Sequence, residues 1–168
     1  MSAPFTLLDA AGASRTPAAW DAAVLILIDH QREYIDGKLP LTGMPEAVAA
    51  CADLLARARA HGTPVIHVVH HGKAGGAFDP AGPYAGIIEG LEPAPGEETV
   101  VKQLPNSFAG TELDARLAAL GSKDLIVAKR SFSAASVTRC SSAAASGSPP
   151  SGSGRSRVAQ ALATSVTR

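Results

Sequence analysis

Short apolar runs that end at polar residues predict the strands of this chain. Ala22 to Ile28 (AAVLILI) is apolar at every position and is followed by Asp29. Pro64 to Val69 (PVIHVV) and Asp124 to Ala128 (DLIVA) are two further short runs. Because an apolar run of this kind is typical of a strand buried on both faces of a parallel sheet, we predict three such strands.

Two segments with helical periodicity lie between the runs. Pro45 to Ala60 begins with a proline and an acid, has apolar residues along one helix face and ends at His61 and Gly62. Gly110 to Leu120 has an acid in its first turn and ends at Gly121. The order strand, helix, strand, loop, helix, strand implies right-handed parallel crossovers. We therefore predict an α/β fold, a three-layer sandwich in which helices cover both faces of a Rossmann-like parallel sheet.

The composition fits one domain of 168 residues, residues 1–168, with 46% hydrophobic and 18% charged residues. Its 15 basic and 15 acidic side chains argue against chain-wide disorder and against a polycation that binds nucleic acid. The longest apolar run is far shorter than the roughly 20 residues of a membrane span. Residues 1–17 lack the features of a secretory signal. We expect a cytoplasmic protein that binds a small molecule, with neither nucleic acid nor a membrane as a partner.

The last part of the chain differs in composition from the rest. Residues 1–128 contain 9 basic and 15 acidic side chains, whereas residues 129–168 contain 6 basic side chains, no acidic ones and 11 serines. A basic segment rich in Ser, Gly and Pro is typical of a linker or tail. Alternatively, residues 129–168 carry an altered sequence, for example after a change of reading frame. Composition does not separate these two explanations.

Residues with reactive side chains follow the predicted strands directly. Asp29 follows the first strand, His67 to Gly72 ends the second, and Lys129 follows the third. Ligands of open parallel sheets bind beyond the carboxyl ends of the strands. A carboxylate at that place is partly desolvated and suited to accept a proton, although Asp29 could instead cap a helix or form a turn. Lys102 follows the β-prone triplet TVV and is either a site residue or a solvated surface lysine.

Two cysteines and three histidines are the other candidates. Cys140 is the only thiol in the C-terminal third, and an arginine precedes it, so it is the candidate nucleophile. Cys51 lies on the apolar face of a predicted helix, and we assign it to packing. His67, His70 and His71 match no metal-ligand spacing, so we expect solvated or substrate-facing roles, with His67 and His70 on different sides of their strand. No Walker, dinucleotide-binding or serine-elbow motif is present in the sequence.

Three segments carry more specific motifs: AAVLILIDHQREYIDG, GTPVIHVVHHG and ETVVKQLPNSFAGTELDARLAALG. The most specific motifs are Asp29-x-Gln31, and Lys102 followed by Asn106-Ser-Phe-Ala-Gly-Thr111. Together they resemble the isochorismatase-like cysteine hydrolase superfamily, which includes nicotinamidases and N-carbamoylsarcosine amidases. The resemblance spans Ala22 to Ala128.

The resemblance implies a parallel sheet of about six strands and a catalytic triad. Asp29 corresponds to the general base, Lys102 to the cation and Cys140 to the nucleophile. Substrate contacts are implied for Gln31, Tyr34, His71, Asn106 and Phe108. No cofactor is implied, and no metal, because the metal ligands of nicotinamidases are not found between Gly37 and Cys51. The family also implies a homo-oligomer, a dimer or tetramer.

Near the predicted nucleophile, the chain departs from the family's Gly-x-x-Thr-x-x-Cys-Val turn. No glycine follows Ala128, and Thr138 stands two rather than three positions before Cys140. The family's spacing from the strand would put the nucleophile near Ala135. Either the loop contains an insertion or the sequence is altered there.

These residues predict a metal-independent cysteine hydrolase that cleaves the C–N bond of a small amide. Lys102 would favour the thiolate of Cys140, Asp29 would accept its proton, and backbone N–H groups would hold the oxyanion. One alternative is a vinyl ether hydrolase of the isochorismatase type, in which Asp29 is the acid and the thiol is incidental. The other is a non-catalytic oligomeric binding scaffold of the same fold.

Overall fold

Five strands form one sheet in the computed structural model, which describes residues 19–121 and 124–129 and the backbone of residues 136–141. Their order across the sheet is β3-β2-β1-β4-β5. Strands β1 to β4 are parallel to one another, and β5 runs antiparallel to β4. The strands are β1 (Ala23–Ile28), β2 (Val65–His70), β3 (Glu98–Lys102), β4 (Asp124–Lys129) and β5 (Ser136–Ser141).

Helix α1 (Met44–Ala60) covers one face of the sheet. Its buried side chains, among them Cys51 and Leu55, share a core with Leu25 and Leu27 of β1. The helix has a proline in its first turn and is followed by Gly62 in a left-handed conformation, φ 66°. The predicted proline start and glycine stop are therefore confirmed.

Helix α2 (Leu113–Ala119) covers the opposite face. It buries Leu113 and Leu117 in a second core with Val24 and Ile26 of β1. Alternate side chains of β1 thus enter two different cores, and each fully buried aliphatic side chain contributes about 1.5–3 kcal/mol. The predicted three-layer arrangement is confirmed. No helix among the described residues is both long and apolar enough to cross a bilayer.

The sheet contains two strands beyond the three that the apolar runs predict. Strand β3 lies at the end of the sheet as described; Thr99 and Val101 are exposed, and Val100 is its one residue that is both apolar and buried. Strand β5 lies within residues 129–168 and is antiparallel. The described residues therefore contain four parallel strands, and the count of about six is not confirmed.

The register of the parallel strands collects polar residues at one edge. Ile28, the last residue of β1, pairs with Lys129 of β4, and Lys102 pairs with His70. Because Asp29 directly follows Ile28, the carboxyl ends of four neighbouring strands carry Lys102, His70, Asp29 and Lys129.

Candidate active site

An aspartate and a lysine from different strands form a buried ion pair at this edge. Oδ2 of Asp29 lies 3.0 Å from Nζ of Lys102, and their side chains are 7% and 3% exposed. Strand β2 separates β1 from β3, so the two backbones are about 10 Å apart. The long lysine side chain bridges that gap, and its Nζ also donates to the carbonyl oxygen of Pro105 at 3.4 Å. Two of the three predicted triad residues are therefore in contact.

The backbone turns sharply at Asp29. Its φ is 61°, in the left-handed region that L residues rarely adopt, although aspartate tolerates it better than most. The N–H of Asp29 still donates to the carbonyl oxygen of Val68 at 2.9 Å, so the hydrogen-bond ladder continues to this residue. The chain therefore leaves the sheet at Asp29 and not before it.

Burial and charge act in opposite directions on Asp29. Burial raises the pKa of its carboxyl, because the charged form is poorly solvated there. The charge and hydrogen bond of Lys102 oppose this rise, and Lys129 and His70 add smaller effects of the same sign. Oδ1 of Asp29 is buried and has no hydrogen-bond partner among the described residues. A carboxyl with a raised pKa and one oxygen that is not engaged in a hydrogen bond can both accept and donate a proton.

Three further residues of this region belong neither to the predicted triad nor to the predicted substrate contacts. His70 and Lys129 end neighbouring strands, and burial lowers the pKa of each. The ring of Phe78 meets that of His70 edge-on at 5.1 Å, and Phe78 has a left-handed φ of 56°. The strand-end position marks His70 and Lys129 in the sequence, whereas no local sequence signal marks Phe78.

The side-chain amide of Gln31 is fully buried and contacts backbone groups. Nε2 donates to the carbonyl oxygens of His70 at 2.9 Å and Ala85 at 2.6 Å, and Oε1 accepts the N–H of His70 at 2.7 Å. Gln31 also forms an isolated β-bridge with Ile87. It thus joins the end of β2 to the loop that follows β2, and its substrate contact stays a prediction.

The other predicted substrate contacts lie on the neighbouring loops. Tyr34 is buried, and its ring meets that of Phe78 edge-on at 5.2 Å. The N–H of His71 donates to the backbone of β3 at 2.9 Å. Oδ1 of Asn106 accepts the N–H of Phe108 at 2.9 Å, which closes the turn after β3. Contacts of these four residues with a substrate stay predictions.

The two cysteines lie in different elements of the fold, Cys140 on strand β5 and Cys51 on helix α1. The backbone of β5 pairs Cys140 with Leu125, the second residue of β4, whereas the ion pair lies beyond the other end, next to Lys129. Four residues of strand correspond to about 13 Å. The register therefore does not bring the backbone of Cys140 to the ion pair. Cys51 is buried in the core beneath α1, which confirms its predicted packing role.

His67 is separated from the site by the sheet. Its Nε2 lies 2.8 Å from Oε2 of Glu97, and Arg59 of α1 binds the same carboxylate. The charges of Asp29 and Lys102 act on His70 instead, and the prediction that His67 and His70 lie on different sides of the strand stays a prediction. Within the ranges that the structure describes, no group of three or more His, Cys, Asp or Glu side chains could hold a metal ion.

Comparison with known proteins places these residues in a family. A family model described as the isochorismatase domain matches residues 23–128. The chain is 35% identical over 117 residues to the secreted isochorismatase effector Isc1 of Verticillium dahliae, covering 69% of this chain and 62% of that protein. It is 31% identical over 103 residues to a streptothricin hydrolase of Streptomyces noursei, covering 61% of this chain and 41% of that protein.

A solved structure described as an isochorismatase shares this fold. The crystal structure of an isochorismatase from Pseudomonas putida KT2440 has a TM-score of 0.71 and 48% sequence identity, covering 76% of this chain and 66% of that one. The chain spans less than two thirds of the length of each of these three relatives. The family model nevertheless covers more than half of the chain and includes both residues of the ion pair. The chain therefore belongs to the isochorismatase family of hydrolases.

Proposed function

We propose that this chain is a metal-independent hydrolase of a small organic molecule in which Asp29, paired with Lys102, moves the proton that bond cleavage requires. The observation that carries this proposal is the buried pair itself, with 3.0 Å between Oδ2 and Nζ. Burial raises the pKa of Asp29 while Lys102 favours its charged form, so the carboxyl can take up a proton and return it. Membership of a hydrolase family supports the reaction class.

The first candidate reaction is cleavage of an amide C–N bond with Cys140 as the nucleophile. Asp29 would accept the thiol proton, and the thiolate would attack the carbonyl carbon. Asp29 would then return the proton to the nitrogen as the C–N bond breaks, which leaves a thioester. Water, with Asp29 as its base, would cleave the thioester and restore the thiol. The motif resemblance supports this route, which needs the sulfur of Cys140 to reach Asp29.

The second candidate reaction is cleavage of a vinyl ether without a thiol. Asp29 in its protonated form would protonate the terminal vinyl carbon, and water would add to the carbon that bears the oxygen. The added water would give a proton to Asp29, which would pass it to the ether oxygen as the C–O bond breaks. The remaining hydroxyl proton would return to Asp29, which releases a carbonyl compound and an alcohol and restores the acid. Two observations favour this candidate: β5 pairs Cys140 with Leu125, away from the ion pair, and the raised pKa of Asp29 suits an acid.

A panel of small amides, esters and vinyl ethers, isochorismate included, tests both candidates. We expect Asp29→Asn to lower turnover of any accepted substrate by about 10²–10⁴-fold, the usual effect of removing a general acid or base. Asp53→Asn, on the exposed side of α1, is the matched control and should keep full turnover. Cys140→Ala should abolish amide cleavage and leave vinyl ether cleavage unchanged.

Two results would overturn the proposal. One is full turnover by Asp29→Asn. The other is a folded wild-type protein that turns over nothing in the panel but carries a bound metabolite detectable by mass spectrometry, which is the result expected of a binding scaffold.

A further inference from the structure

The position of the Asp29 carboxylate depends on one left-handed residue. Side chains alternate along a strand, so a regular continuation of β1 would direct the side chain after Ile28 toward the α1 face. Lys102 shares the α2 face with Val100, which lies in the core beneath α2. The φ of 61° at Asp29 breaks this alternation, and its carboxylate meets Lys102. Because this conformation is unfavourable for a residue with a side chain, neighbouring contacts must hold it.

His30, the next residue, is held at two points. Its carbonyl oxygen accepts the N–H of Ile88 at 3.0 Å. Its Nε2 lies 3.1 Å from Sγ of Cys51 on α1, within hydrogen-bond distance, and both side chains are 5% exposed. The imidazole therefore links the chain directly after Asp29 to a helix that is itself anchored in the core.

Packing alone does not account for this contact. The sulfur of Cys51 would fit an apolar core without any polar neighbour, because a free cysteine behaves there as a small hydrophobic residue. A buried imidazole, in contrast, is unfavourable without hydrogen-bond partners. The sulfur thus makes it possible for His30 to be buried next to Asp29.

We propose that His30 and Cys51 form a positioning pair, which holds the left-handed turn and thereby directs the carboxylate of Asp29 at Lys102. Neither residue is assigned a contact with substrate. The expected effect on turnover rests on the proposed function, whereas the expected effect on the titration of the Asp29 carboxyl does not.

Titration of the Asp29 carboxyl by carbon-13 NMR tests the pair without a substrate, using the resonance missing from Asp29→Asn as the assignment. Cys51→Ala should lower the pKa of Asp29 toward its ordinary value, because a loosened turn exposes the carboxyl to water. Cys51→Ser keeps a hydrogen-bonding group and should keep the wild-type titration. His30→Phe removes the same contact from the other side and should resemble Cys51→Ala.

Leu55→Val is the matched control for packing. Leu55 lies one helical turn from Cys51 in the same core, and its aliphatic side chain has no group that could form a hydrogen bond with His30. This variant should lower the melting temperature as much as Cys51→Ala does while leaving the titration of Asp29 unchanged.

If the panel yields a substrate, kcat should fall about tenfold in Cys51→Ala with little change in KM, and Cys51→Ser should restore it. A wild-type titration of Asp29 in both Cys51→Ala and His30→Phe would overturn the positioning pair, as would a Cys51→Ser variant that behaves like Cys51→Ala. Absence of any turnover by the wild type would contradict the proposed function alone, since the titration still decides the question of the pair.

Discussion

Replacing Lys102 with methionine tests the ion pair directly, because methionine keeps most of the apolar side chain and removes the charge. In the wild type, the two groups are 3.0 Å apart and almost completely buried. Removal of one partner from a buried pair costs about 3–5 kcal/mol of the free energy of unfolding. We expect about 3 kcal/mol at pH 8, the lower end, because Asp29 avoids part of the cost by binding a proton.

The free energy of unfolding lost in Lys102→Met should depend on pH, in a direction that follows from the pKa of Asp29. Burial raises the pKa of Asp29 above its ordinary 3.8, so the folded state binds this proton more tightly than the unfolded state. The contribution of the Asp29 carboxyl to the free energy of unfolding is therefore greatest below pH 3.8 and falls as the pH rises through the pKa of Asp29 in the folded state. Without Lys102 the pKa rises further, and the fall extends to higher pH. The difference in stability between wild type and Lys102→Met should therefore be larger at pH 8 than at pH 3.8.

Urea unfolding, followed by the fluorescence of Trp20, the only tryptophan, measures this difference. Lys73→Met, at an exposed position, is the control and should have little effect at either pH. In an Asp29→Asn background, Lys102→Met should cost much less than in the wild type. An equal loss at both pH values, or an unchanged loss in the Asp29→Asn background, would refute the reasoning.

Three further predictions concern other residues. Burial alone would raise the pKa of Glu97, but hydrogen bonds from Arg59, the N–H of Ala94 and His67 together lower it from 4.5 to about 2. Glu97→Gln should therefore destabilise the protein above pH 4.5 and not near pH 2. Chemical unfolding should show a loss of about 1–2 kcal/mol at neutral pH after solvent screening. Lys129→Met should raise the pKa of Asp29, seen as a carboxyl titration at higher pH, because Lys129 lowers it in the wild type. Gly72→Ala should destabilise the protein by more than about 1 kcal/mol in thermal unfolding, because its Cβ would lie 2.0 Å from the carbonyl oxygen of Ala77.

The strands and helices with strong periodicity could be read from the sequence. Strand β1 has a parallel neighbour on each side and a helix layer on each face, so all of its residues must be apolar, and the run in the sequence shows this. Helix α1 carries its start and stop signals in its own residues. Strand β3 has no such run, because Val100 and Val101 lie between polar or charged residues, and only the short triplet TVV marks it in the sequence.

The candidate site could be predicted only in part. The position of Asp29 after an apolar strand and that of Lys102 after the triplet TVV were readable, and the motif resemblance linked the two residues. No local pattern encodes the left-handed backbone at Asp29, and the contact between His30 and Cys51 joins residues 21 positions apart. The hydrogen bonds of the Gln31 amide to the backbone and the contact of the Cys51 sulfur with His30 show the same limit, because only the folded chain reveals them.

The pH dependence of kcat/KM, compared with the NMR titration of the Asp29 carboxyl in the same protein, is the most direct test of proton transfer by this residue. The account predicts that one limb of the pH–rate profile coincides with the titration of Asp29, lies above pH 3.8 and moves to higher pH in Lys129→Met. A profile in which no limb follows the titration of Asp29 would contradict it.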